Sequence, residues 1–261
     1  KGDLSLIVGG PPCQGYSGIG HRRSYKVDKE KIPSNYLYKE MYKVIEYFDP
    51  KAFIFENVRG LLSARWTKNG AKGEIFKDVL KQFSKLKNYN YDYSLVQSKD
   101  YGVPQNRPRV LVIGIRKDIK SKISKEELFP KKDISYPHLE ELFSDLIDKN
   151  YNKNFITSSY LSDPKTKIQR TLRTRKDKNS FLSKGDKLTD QEYSNHSPNI
   201  VKKFKSMLEN GGVIKDKFKT KKFAQRLLNK RWNGKGPNIT ATSLPDDYVH
   251  YSQPRSLTVR E

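Results

Sequence analysis

Cys13 is the single cysteine of the 261 residues, and it stands in the run Gly9-Gly10-Pro11-Pro12-Cys13-Gln14-Gly15. A lone cysteine is most often a small buried hydrophobe. This one follows a short apolar run closed by two glycines and two prolines. It lies on a loop leaving a strand, where a side chain is held rigidly and still reached. A nucleophilic thiol needs such access and a means of becoming thiolate. Glu56 ends the apolar run Ala52 to Phe55, and two readings stay open for it. Either it caps the turn through Asn57 to Gly60, or apolar surroundings raise its proton affinity so that it donates or shares a proton.

Asp100 to Arg109 reads DYGVPQNRPR and sets Gln105, Arg107 and Arg109 at alternate positions before an apolar run. If extended geometry starts early, the three share one face. Neighbouring guanidiniums are costly unless something anionic or strongly polar meets them; a solvated strand end with a salt bridge is the plainer alternative. Gly15, Gly18 and Gly20 form GxxGxG, which imitates a dinucleotide-binding fingerprint in reversed order. Pro11-Pro12 stands where that fingerprint needs a tight turn into a helix, which argues against a nicotinamide or flavin enzyme.

The elements that must position these residues are legible in the hydrophobic pattern. Leu4 to Val8 reads as a buried strand entering a stiff loop. Leu37, Met41, Val44, Ile45 and Phe48 recur at helical spacing until Asp49-Pro50 stops them. Ala52 to Glu56 is a second strand, and Ile75, Phe76, Val79, Leu80, Phe83 and Leu86 mark a second amphipathic helix. Tyr91 to Val96 and Arg109 to Ile115 are two more strands. Strands separated by helices of this length predict parallel crossovers and an α/β sheet. In such sheets ligands bind beyond the carboxyl ends of strands, where Gly9 to Gly15 and Glu56-Asn57 lie. From Lys117 the texture turns charged and irregular, with helical patterns over Leu139 to Ile147 and Ile200 to Leu208, the latter closed by Gly211-Gly212. Two domains are therefore expected, 1–116 and 117–261.

Fifty-two Lys and Arg against 29 Asp and Glu leave a net charge of +23. Such a surface attracts polyanions, nucleic acid first and acidic membrane surfaces second. An AT-rich codon bias does not explain the imbalance, because it enriches Glu as well. One cysteine excludes a disulfide framework and any multi-cysteine zinc site, so no metal is expected. The longest apolar runs are too short to span a bilayer, and no secretory signal opens the chain, so a cytoplasmic protein is expected.

Four blocks in order resemble the DNA (cytosine-5) methyltransferase family: GGPPCQGYSGIG (Gly9 to Gly20), FENVRGLL (Phe55 to Leu62), DYGVPQNRPRVLVIG (Asp100 to Gly114) and PRSLTVRE (Pro254 to Glu261). Weaker likeness in NHSPNI and in Trp232 to Thr242 extends the match to most of the chain outside 117–190. The resemblance implies part of a Rossmann-like α/β sheet of the S-adenosylmethionine-dependent methyltransferases, with a smaller irregular target-recognition domain. It implies methylation of C5 of a cytosine flipped out of duplex DNA, because a stacked base cannot be attacked.

In that chemistry Cys13 would be the thiolate that adds to C6 and makes C5 enamine-like. Glu56 would meet the ring at N3 and the exocyclic amine, Arg109 would hold O2, and Arg107 would order the active-site loop. Pro11 and Pro12 would touch S-adenosylmethionine. The loop from Gly15 to Gly20 and on through His21-Arg22-Arg23 would close on the DNA, with Gln14, Ser17, Arg22 and Arg23 as DNA contacts. Asn57, Gln105 and Arg255 would be structural, and the basic segment after residue 117 would read bases in the major groove. Restriction–modification is the implied setting in a prokaryotic host, with a cognate endonuclease as functional partner.

The match also departs from the family. The strand with its FxGxG loop and the ribose-binding acidic residue do not precede Leu4, and the closing helix and asparagine block do not follow Glu261. The expectation is a fragment with most S-adenosylmethionine contacts absent and little turnover alone, its cofactor half supplied by the rest of the gene or by a second chain. Two rivals remain: a transfer-RNA cytosine-5 methyltransferase, against which the missing second cysteine argues, and a split or catalytically dead chain that only binds DNA.

Overall fold

The computed structural model describes residues 3–12, 28–120, 122–133, 135, 137–177, 179–219, 224–231, 234, 236–238 and 248–261. The chain forms two compact units. The first holds Lys1–Asp100 and Arg107–Lys132, the second Tyr101–Asn106 and Asp133–Glu261. Residues 117–132 thus cluster with the first unit, whereas the change of sequence texture begins at Lys117.

Unit 1 is a four-stranded sheet with helices on one face. Its strands are β1 (Leu6–Gly9), β2 (Ala52–Val58), β3 (Tyr89–Gln97) and β4 (Pro108–Arg116), in the order β1-β2-β4-β3. β1 and β2 are parallel, joined through α1 (Leu37–Phe48), as a parallel pair requires a long crossover. β4 runs antiparallel to both neighbours, so the sheet is mixed rather than wholly parallel. α2 (Glu74–Phe83) links β2 to β3.

Alternation along the strands sends Phe53 and Phe55 of β2 and Val110 and Val112 of β4 into one core. Ile75, Phe76, Val79 and Phe83 of α2 cover it, and the ring of Phe83 lies 5.5 Å from Phe53 and 5.4 Å from Phe55. Each such ring, fully buried, contributes about 1.5–3 kcal/mol. Gly114 leaves room for the Phe53 ring, which a Cβ there would strike.

α1 covers the same core, but its buried side is Tyr38, Met41, Tyr42 and Ile45. The sequence pattern had placed Leu37, Val44 and Phe48 inward; they are 36%, 42% and 47% exposed. The apolar bodies of two tyrosines rotate the buried stripe, because a phenol packs like a hydrocarbon while its hydroxyl reaches a polar partner. The end of α1 is as expected. Asp49 takes a left-handed φ of 46°, and Arg116 Nη1 donates to its carbonyl at 2.6 Å.

β1 departs from its expected burial. Leu6 and Val8 are 46% and 63% exposed, and β2 is the strand's one partner among the described residues. A continuous apolar run does mark a strand, but burial on both faces needs neighbours on both sides.

Unit 2 is built from short helices and loops. It contains α4 (Leu139–Phe143), α5 (Tyr151–Asn154), α6 (Lys167–Leu172) and α7 (Pro198–Glu209), with α3 (Lys125–Leu128) preceding them in unit 1. A two-stranded parallel pair joins β5 (Arg226–Leu227) to β6 (Tyr248–Val249). The helix expected over Leu139 to Ile147 ends at Phe143. α7 closes as its glycines predict: Gly211 and Gly212 have φ of 60° and 91°, and Gly212 N–H donates to Met207 O at 2.7 Å. No described helix is long and apolar enough to cross a membrane.

Candidate active site

At the carboxyl end of β1 the chain turns through Gly10-Pro11-Pro12, and beside it β2 ends in Glu56-Asn57-Val58. Asn57, 4% exposed, ties the two ends together by donating from Nδ2 to Pro11 O at 3.2 Å. Its Oδ1 accepts from Val58 N–H at 2.9 Å, so both ends of the amide are used. The turn that precedes Cys13 is thus fixed by the strand that carries Glu56.

Glu56 and Arg109 occupy one face of adjacent antiparallel strands. Arg109 is paired in register with Val58, which sets it diagonally to Glu56. Arg109 Nε lies 2.5 Å from Glu56 Oε1, with side chains 22% and 38% exposed. Arg109 Nη1 also donates to Pro108 O at 2.8 Å. The carboxylate therefore meets a guanidinium at a part-open strand end, not an apolar enclosure, and it caps no turn in the described structure. The other oxygen of Glu56 faces the chain at Gly10, where an added Cβ would sit 3.1 Å from Oε2.

Of the three alternating residues, Arg109 alone lies inside the strand, because β4 begins at Pro108. Arg107 is held at its backbone: its N–H donates to Ser98 Oγ at 3.2 Å, and Ser98 N–H donates to Arg107 O at 3.3 Å. Gln105 belongs to the segment grouped with unit 2, and its N–H turns back to Val103 O at 2.7 Å. Strand alternation therefore does not extend to Arg107 and Gln105, since proline-rich VPQNRP bends before it extends.

Pro11 and Pro12 border a cavity of about 10 Å³ with Ser34, Asn35, Tyr38, Phe55, Asn57, Leu61 and Val79. That is room for about one water molecule. These residues do not by themselves form a site of S-adenosylmethionine size. Cys13, Gln14, Ser17, Arg22 and Arg23 lie outside the described residues. No cluster of three or more metal-ligating side chains occurs among the described residues.

In unit 2, Arg255 is 1% exposed and grips Glu261 with two bonds, Nη1 to Oε2 at 2.7 Å and Nη2 to Oε1 at 2.6 Å. Its guanidinium lies 4.8 Å from the Tyr193 ring, and its Nε donates to Gln253 Oε1 at 2.9 Å. Thr258 N–H donates to Glu261 Oε2 at 3.0 Å, closing the block on itself. His250, fully buried, accepts at Nδ1 from the N–H groups of Ser252 and Gln253 at 3.1 and 3.2 Å. Its pKa is pushed down to about 4, by burial first. Arg255 is thus bonded through all three guanidinium nitrogens, which also accounts for its burial. His250 was missed, because a single histidine carries no spacing signal, and so was Ser98, whose part is played by one hydroxyl.

The family model for C-5 cytosine-specific DNA methylases matches residues 1–261. Type II methyltransferase M.DdeI of Desulfomicrobium norvegicum is 34% identical over 175 residues, covering 66% of this chain and 39% of that protein. Type II methyltransferase M1.HphI of Haemophilus parahaemolyticus is 29% identical over 261 residues, covering 99% of this chain and 57% of that protein. The chain thus spans about two fifths to three fifths of the length of these relatives. A solved structure of a prophage-encoded E. coli protein, assigned as a DNA modification methyltransferase, superposes with a TM-score of 0.62. It covers 97% of this chain and 66% of that one at 21% identity, a likeness of fold. The mixed sheet carries the paired Glu56 and Arg109, and the match over the chain's whole length shows that it belongs to the C-5 cytosine-specific DNA methylase family.

Proposed function

We propose that this chain carries the catalytic and target-recognition parts of a DNA (cytosine-5) methyltransferase, with catalysis in 1–116 and recognition in 117–261. The observation that carries the reading is the Glu56–Arg109 pair beside the Gly10-Pro11-Pro12 turn that leads into Cys13. A carboxyl and a guanidinium on one face offer complementary groups to the edge of a flipped cytosine: Arg109 donates to O2, and Glu56 meets N3 and the exocyclic amine.

The Cys13 thiolate forms a bond to C6 as the C5–C6 double bond opens and its electron pair moves into the ring. Glu56, in its protonated form, gives its proton to N3, so no full negative charge accumulates. Once C5 carries the methyl group that S-adenosylmethionine would supply, loss of the C5 hydrogen as a proton, cleavage of the C6–S bond and return of the N3 proton to Glu56 restore the aromatic ring and the thiolate. Arg107 orders the loop beside the base, Gln105 and Asn57 hold the surrounding chain, and Gln14, Ser17, Arg22 and Arg23 meet the DNA. Arg255 supports the recognition unit.

The methyl donor of this reading is S-adenosylmethionine, which Pro11 and Pro12 would touch at one edge. The part-open β1, with Leu6 and Val8 exposed, supports a sheet completed by further polypeptide, from the same gene or a second chain, that brings the cofactor half. Activity of these residues alone is then weak. The two Type II relatives support a restriction–modification setting in a prokaryotic cytoplasm, with an endonuclease as functional partner.

The test is a duplex containing 5-fluorocytosine, incubated with the full-length polypeptide and S-adenosylmethionine. Fluorine cannot leave as a proton, so a denaturant-stable protein–DNA adduct is expected, absent in Cys13→Ser. Persistence of the adduct in Cys13→Ser removes the nucleophile assignment. Salt-sensitive DNA binding with no adduct under any condition would establish the binding-only alternative.

A further inference from the structure

Two consecutive backbone amides are bonded into different units of this chain. Asn106 N–H donates to Pro237 O at 2.7 Å, and both residues belong to unit 2. Arg107 N–H donates to Ser98 Oγ at 3.2 Å, and both belong to unit 1. The chain leaves unit 1 after Asp100, makes a six-residue excursion, Tyr101–Asn106, and returns at Arg107. The excursion is held within unit 2 at its start as well, where Tyr101 bridges Asp133 and Gly102 takes a φ of 77°. Pro237 is followed by Asn238, whose N–H donates to Tyr248 OH at 3.0 Å in β6, so the acceptor is itself fastened into that unit.

Peptide groups are planar, so the only soft torsions between these two amide bonds are φ and ψ of Asn106. A shift of Pro237 along its hydrogen bond is therefore passed to Arg107 with little slack. Two residues further on, Arg109 bonds Glu56. Ser98 supplies the counter-anchor: its own N–H returns a bond to Arg107 O at 3.3 Å, so Arg107 is clasped from both sides of its peptide.

We infer that the Asn106–Arg107 linkage couples engagement of DNA by the recognition unit to the placement of Arg107 and of the Glu56–Arg109 pair, with Ser98 and the Asn106 backbone as positioning groups. The inference rests on the function proposed above. Binding the correct sequence moves or stiffens the segment at Pro237, and the linkage delivers that change to the catalytic face. The device acts on discrimination, because it makes the site's geometry depend on what the recognition unit holds.

The experiment uses the full-length polypeptide with S-adenosylmethionine and plasmid DNA, read by bisulfite sequencing. This yields the ratio of methylation at the sequence preferred by the parent protein to methylation elsewhere. Ser98→Ala removes the hydroxyl acceptor, Ser98→Thr keeps it, and Asn106→Pro removes the donor to Pro237. The ratio is expected to fall at least tenfold in Ser98→Ala and Asn106→Pro while DNA affinity stays within about threefold, with Ser98→Thr recovering most of it. A uniform drop at all sites, with the ratio preserved, would show a structural role only and overturn the inference. Amide exchange without turnover provides a second reading. Duplex DNA should slow the Asn106 and Arg107 amides together, and protection of Asn106 alone would also overturn it. A parent protein that binds DNA but methylates nothing refutes the function proposed above, and the exchange measurement still decides the coupling.

Discussion

Arg109 Nε and Glu56 Oε1 stand 2.5 Å apart across two antiparallel strands, set diagonally rather than directly opposite each other. The second oxygen of Glu56 lies against Gly10, in the turn leading to Cys13. Removing the charge of one while keeping its shape isolates its chemical part. Glu56→Gln is expected to slow adduct formation on 5-fluorocytosine DNA by about 10²–10⁴-fold, with DNA affinity little changed. A rate within threefold of the parent would remove Glu56 from the reaction.

Arg109→Lys keeps the charge and loses the fork. Nε pairs with Glu56 while Nη1 donates to Pro108 O, two directions that an ammonium on a flexible stem does not reproduce. Single-turnover rates are expected to fall by at least tenfold, with thermal stability lowered by less than about 1 kcal/mol. Rates equal to the parent would mean that charge alone suffices.

Gly10 leaves space for Glu56 Oε2, which a Cβ would meet at 3.1 Å. Gly10→Ala should displace the carboxylate, because its flexible end gives way before backbone does. The expected signature is a tenfold or greater loss of adduct rate at a stability cost under about 1 kcal/mol, measured by thermal melts beside the kinetics. A melt that falls while the rate holds would reverse this reading.

Arg255 and Glu261 form a fully buried pair in unit 2. Arg255→Met leaves a buried carboxylate without its counter-charge and is expected to cost about 3–5 kcal/mol. The double change Arg255→Met with Glu261→Gln should recover part of that loss in denaturant titrations. Equal loss in single and double variants would show that packing, not charge, sets the cost.

His250 predicts how stability follows pH. Burial pushes its pKa from 6.5 to about 4 against the raising effect of Glu261, with Arg255 lowering it further. Below pH 6.5 the unfolded chain takes up a proton that the folded chain refuses until about pH 4. Stability is therefore full above 6.5 and lost as pH falls, by up to about 1.4 kcal/mol per unit. Glu261 extends the loss below 4.5: burial raises its pKa, but bonding to Arg255 more than offsets this and leaves it lowered. Denaturant midpoints are expected to drop from pH 7 to pH 5, with a shallower slope in His250→Gln. An unchanged slope in that variant would show that other groups carry the dependence.

The sequence by itself determined the elements of unit 1 and the order of its chemical blocks. Periodicity is a local property, so β2, β3, β4, α2 and α7 were legible within a few residues, as were the stops at Asp49 and Gly211. Four motifs in family order were enough for membership, because each constrains residue type and position together. Tertiary structure alone decided which side of α1 is buried, since Tyr38 and Tyr42 go inward only when a sheet face is there to receive their rings. It also decided that β1 is half-exposed, because burial depends on neighbours that a strand's own residues do not encode. The same holds for Glu56, which the sequence left between a cap and an apolar enclosure. Its partner, Arg109, lies fifty-odd positions away and is brought alongside only by the antiparallel pairing of β4 with β2. The tie of Asn106 to Pro237 is a backbone bond, and the clasp of Ser98 on Arg107 joins one backbone bond to a single hydroxyl, groups that carry no spacing of their own. No pattern of side chains announces them, and only the path of the folded chain brings donor and acceptor together.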